Sequence, residues 1–135
     1  MFEIGYYTLD ADNRPVRTDL LSWGEMMNGN RRFVGYTEIT SELRVSTVFI
    51  GIDHRHYGKG PPLLFETMIF GGPLDGHQWR YASWDDAQTG HQAAVSKAHK
   101  AIGHKFAQAI DEIDNSEIEP GTTIKLTPRG WKPDK

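Results

Sequence analysis

Cysteine is absent from this chain. That excludes disulfides, a thiolate nucleophile and Cys-ligated zinc, and it fits a reducing compartment. Long apolar runs are missing as well: nothing approaches the roughly 18 residues of a membrane-spanning helix. There is no excess of positive charge. Lys and Arg number 15 against 18 Asp and Glu, a formal net charge of −3. The molecule as a whole therefore does not attract anionic membranes, and its acidity argues against general nucleic-acid binding. Six histidines would raise the charge in mild acid. No Walker loop, dinucleotide fingerprint or metalloprotease helix is found. The opening MFEIGYYTLD has neither the basic start nor the apolar core of a signal peptide, so a cytoplasmic location is expected.

What is present reads as one globular domain. The 135 residues are 38% hydrophobic and 24% charged, and at this length about two-thirds of the unfolded surface can be buried. FEIGYYTL (2–9) has strand composition, DADNRP (10–15) turn chemistry, and TDLLSWGEMMN (18–28) the pattern of a short helix with Thr18 as its cap. The runs 31–40, 44–53, 63–70 and 77–83 are rich in β-branched and aromatic residues and joined by short links, which predicts an antiparallel meander. The stretch 83–113 is the one long helix. Ser83 and Asp86 suit its start, and an apolar stripe runs from Trp84 through His91 to Ile113, with a break possible at Gly103. TTIKLT (122–127) is a candidate last strand. The expected fold is α+β: a sheet of about five strands packed on the C-terminal helix, with a short N-terminal helix. The domain spans 1–127, followed by a loose tail, 128–135.

The segment DHRHYGKGPP (53–62) is the first candidate site. Its glycines let backbone N–H groups face an anion, while His54, Arg55, His56 and Lys59 place cationic donors nearby. A solvated basic loop is the plain alternative. His54 and His56 also form a His-x-His, which Asp53, Glu66 or His91 could complete; that signal is weak, and no metal or cofactor is assigned. Glu66 stands among apolar neighbours in LLFETMIF. Period two puts it on a face with Ser46, Val48, Ile50, Ile52 and His54, and both faces of the sheet read as apolar and covered. Its carboxylate then needs Arg80, Arg44 or His54 as partner. His91, on the helix stripe, reads first as a satisfied core histidine and second as a ligand-binding group. Ser46 and Thr47 offer hydroxyls without a triad spacing. In RRFVGY (31–36) basic and aromatic residues interleave in a way that can stack bases.

The stretch 31–91 strings together ordered blocks: Arg31–Arg32, Val45–Phe49, Gly51–His54, Gly60–Pro62, Phe65–Met68, Gly71–Gly72, Arg80–Tyr81 and Trp84–His91. In these blocks the chain resembles small proteins of unassigned function that are common in bacteriophage and prophage genomes. The resemblance implies a phage origin, hence the host cytoplasm, and brings no settled activity.

The leading expectation is a non-enzymatic binding protein. It would take a small anionic or nucleotide-like ligand, or a host protein, through His54, Arg55, His56, Lys59, Glu66, Arg80 and His91, for example in counter-defence. One alternative is a small hydrolase of a phosphate or nucleotide ester, with His54 as acid–base and Glu66 orienting it. Another is an assembly homodimer, since one helix covers only one of two apolar sheet faces.

Overall fold

The computed structural model describes residues 4–53 and 60–114. The fold is α+β, with every strand pairing antiparallel. A four-stranded meander is built from β3 (Phe33–Thr40), β4 (Leu43–Phe49), β6 (Phe65–Phe70) and β7 (Gln78–Tyr81), in that spatial order. A smaller sheet has the order β2 (Pro15–Thr18), β1 (Gly5–Leu9), β5 (Ile52–Asp53). Two α-helices, α1 (Leu20–Asn28) and α2 (Trp84–Asp114), and a 3-10 turn at Asn30–Arg32 complete the described elements.

The single sheet of about five strands expected from the sequence is thus divided in two, and the run 44–53 is split between them. The N–H groups of Ile50 and Gly51 both donate to the Leu64 carbonyl, at 2.7 and 3.3 Å, which ends the β4–β6 ladder. Gly51 then takes φ +66° and carries the chain across to β1, where its carbonyl accepts from Tyr7 N–H at 2.8 Å. A side chain there would meet Tyr7, Phe49 and Trp23 within 3 Å, so only glycine fits the crossing. DADNRP is a turn as expected, but it is the turn of a hairpin whose second strand, β2, follows directly. The Asp10 carboxylate accepts from the N–H groups of Asp12 (2.8 Å) and Arg14 (2.9 Å), an Asx turn.

Helix α1 is capped by Asp19 rather than Thr18: the carboxylate accepts from Ser22 N–H at 2.8 Å. This hydrogen bond also holds the Asp19 pKa below its ordinary value. At the start of α2, Ser83 Oγ accepts from Asp86 N–H at 3.1 Å, the N-cap contact its sequence suggested. The helix continues without a break through Gly90 and Gly103.

Alternation along β4 and β6 is strict. Val45, Thr47, Phe49, Phe65, Thr67 and Ile69 are fully buried, while the residues between them are partly open. Helix α2 lies on the buried face and meets it with Ala87, His91, Ala94 and Ala98, at spacings of four and three; the three alanines let the helix come close. Two apolar clusters result. Phe49, Leu64, Phe65, Ala87, Leu9 and Met26 form one; Val45, Ile69, Leu43, Ile39, Ala94 and Ala98 form the other.

Candidate functional site

Between the two apolar clusters lies a polar layer. The His91 ring is 4% exposed. Its Nε2 pairs with Thr37 Oγ1 at 2.9 Å and its Nδ1 with Thr47 Oγ1 at 2.7 Å; Thr47 in turn pairs with Thr67 Oγ1 at 2.6 Å. Each hydroxyl can donate or accept, so the neutral ring is satisfied in either tautomer. Burial pushes the His91 pKa below its ordinary 6.5, because desolvation disfavours the imidazolium. The histidine is a core group, sealed between α2 and the sheet.

Glu66 and Arg80 occupy the other side of the sheet. Register aligns Val48, Glu66 and Arg80 in one row across β4, β6 and β7. Arg80 Nε donates to Glu66 Oε2 at 3.0 Å, with the side chains 42% and 17% exposed. The tie itself matches the sequence reading, with Glu66 largely buried beside a more open Arg80. Among the described residues no helix covers this face, and the row expected to run from Glu66 to Ile52 does not continue, because Ile52 belongs to the smaller sheet. Because the Arg80 side chain is 42% exposed and so keeps its hydration, Glu66→Gln is expected to cost less than about 1 kcal/mol in urea denaturation; a loss near 3 kcal/mol would show the pair to be effectively buried.

The sheet therefore separates residues that the sequence grouped. His91 lies under the inner face and Glu66 and Arg80 on the outer one, so these three do not form one ligand set. His54, Arg55, His56 and Lys59 lie outside the described residues, as does the candidate strand 122–127. Among the described residues no cluster of three His, Asp or Glu could hold a metal ion, and no helix is long and apolar enough to cross a membrane.

The outer face is the most open chemically equipped surface of the meander. Its central row is Tyr36, Ser46, Met68 and Gln78; beside it run Phe33, Val48, Glu66, Arg80 on one side and Glu38, Arg44, Phe70 on the other. Tyr36 is 58% exposed and Phe33 43%. The Arg32 guanidinium stacks on Phe33, 4.3 Å from its ring centre, and that of Arg44 on Phe70 at 4.8 Å. One tyrosine ring is thus flanked by two arginine–aromatic stacks. RRFVGY signalled part of this. Arg31, however, is directed away: its guanidinium donates to the carbonyls of Leu9 and Asp10 at 3.3 and 2.6 Å. Arg44 and Phe70 come from other strands and carried no such signal.

Comparison with known proteins brings no relative to this surface: no family model, no curated protein and no solved structure matches the chain.

Proposed function

We propose that the chain is a binding protein that captures a nucleotide-like ligand on the outer face of its four-stranded sheet. The observation that carries this reading is Tyr36, open to solvent and flanked by the Arg32–Phe33 and Arg44–Phe70 stacks. A base stacked on an aromatic ring gains roughly 1–3 kcal/mol, and guanidinium groups offer the paired donors that phosphate oxygens accept. Arg32, Arg44 and Arg80 outnumber Glu38 and Glu66 on and beside this face, so it is locally cationic on a molecule of net charge −3. A phage origin, as the residue blocks imply, would make such capture a form of counter-defence against a host nucleotide signal.

Fluorescence anisotropy with a labelled nucleotide panel tests the proposal. Tyr36→Ala is expected to weaken binding roughly tenfold or more, with the melting temperature within a few degrees of the parent because an exposed ring adds little to folding. Undiminished affinity in Tyr36→Ala would remove the face from consideration. A second copy on the same face is the competing occupant, favoured by Val48 and Met68 beside Tyr36; light scattering of the free protein distinguishes it.

A further inference from the structure

We infer that the ligand of the outer face is a short single-stranded oligonucleotide, not a mononucleotide; this rests on the reading of that face as a nucleotide site. Small molecules bind where a concavity can enclose most of their surface. A ring left 58% exposed, beside a Phe at 43%, is a platform and encloses nothing. Two clefts among the described residues lie away from this face. One of 340 Å³ is lined by Thr40, Leu43, Ile102 and Phe106 among others, and one of 330 Å³ by Asp12, Arg14, Ser83 and Asp85 among others. On a platform, affinity has to come from repetition: several bases stacked side by side, with phosphates between them.

The arrangement of the face is itself repetitive. Along β3, Phe33 with its stacked Arg32 precedes Tyr36, and Glu38, whose cross-strand neighbour is Arg44, follows it. The rows of Phe33, Tyr36 and Glu38 meet β4 at Val48, Ser46 and Arg44, two residues apart, so they follow one another at roughly 7 Å along the strand. Phe33 with Arg32 on one side of Tyr36, and Arg44 stacked on Phe70 on the other, therefore succeed one another in the strand direction, which suits a chain of nucleotides running along β3 and not one base. Ser46 lies directly opposite Tyr36 on β4 and brings a hydroxyl to where a base edge would lie. A duplex keeps its base faces stacked on one another and offers none to Tyr36. The net charge of −3 disfavours long polyanions, which restricts the partner to a few nucleotides.

The test is a length series: adenosine monophosphate and single-stranded oligo(rA) and oligo(dA) of two to eight nucleotides, titrated into the whole protein by calorimetry at several salt concentrations. Affinity is expected to rise at least tenfold from the mononucleotide to three or four nucleotides and then level off, as about two further stacking contacts are added. The slope of log K against log salt should be near −1.4, about −0.7 for each of two phosphates, and Arg44→Gln should make it shallower by about 0.7. The RNA and DNA arms identify which sugar is preferred. Equal affinity for the monophosphate and the tetramer would overturn the oligonucleotide inference while leaving the nucleotide site standing. Equal binding of a duplex of the same length would overturn it too. Failure of every nucleotide to bind would remove both.

Discussion

His91→Ala should destabilise the protein by roughly 3–5 kcal/mol, combining a cavity between α2 and the sheet with the loss of hydrogen-bond partners in the core. The ring is 4% exposed and pairs at 2.9 Å with Thr37 and at 2.7 Å with Thr47. Its removal leaves the buried Thr47 with Thr67 alone as side-chain partner and takes the ring contact from the part-buried Thr37. Thr47→Val should cost about 1–3 kcal/mol by the same logic applied to one group, and the double mutant should fall short of the sum because the residues form one network. Urea denaturation monitored by circular dichroism measures all three. A loss under 1 kcal/mol for His91→Ala would show that the layer is not formed.

The same residue sets a pH dependence. Burial holds the folded-state His91 pKa below 6.5, so in the window just below 6.5 the unfolded chain binds a proton that the folded one does not. The stability His91 contributes is complete above 6.5 and declines as pH falls through that window toward the folded value. The parent should therefore lose stability on acidification from pH 7 to 5 more steeply than a His91→Phe variant that retains the fold. Identical profiles would exclude His91 as the cause.

Gly51→Ala is expected to have the other large effect, about 3 kcal/mol. Roughly 1–2 kcal/mol is the left-handed penalty for a residue with a Cβ; the remainder is overpacking. The backbone sits at φ +66°, and a Cβ would lie 2.8 Å from the Tyr7 carbonyl oxygen and 2.9 Å from the Phe49 and Trp23 rings. The small sheet should suffer first, because β5 enters it through this crossing: hydrogen exchange at Tyr6 and Tyr7 should accelerate before exchange in β4 or β6. Gly60→Ala is the control. Gly60 is also left-handed, at φ +97°, but nothing lies within 4 Å of the added methyl, so only the conformational penalty of about 1–2 kcal/mol applies. Equal losses at the two positions would mean that the crossing is not crowded.

These positions also show which features were legible in the chain alone. Ser83 and Asp86 marked the start of α2 because an N-cap is a local contact, complete within four residues. The α+β class, the four meander strands and the long helix followed from hydrophobic periodicity, which records burial residue by residue. The Glu66–Arg80 tie was foreseeable because a carboxylate among apolar neighbours needs a cation. The cap of α1 fell one residue from the expected Thr18, within a stretch where Thr18 and Asp19 are both capping residues and only the backbone selects between them.

The division into two sheets was not legible. Period two in 44–53 is the same whether the strand stays in its ladder or leaves it, and what ends the ladder is a pair of N–H groups sharing the Leu64 carbonyl, followed by a left-handed glycine. The faces were not legible either. Both read as apolar from the sequence, and which face α2 would cover depended on how the helix docked. That docking alone put His91 beneath the sheet beside three threonines and left Tyr36, Arg44 and Glu66 on the open side. Local chemistry, then, determined the elements and their ends. Which side chains stand together was decided by register and packing, because these join residues dozens of positions apart whose spacing along the chain carries no trace of their contact.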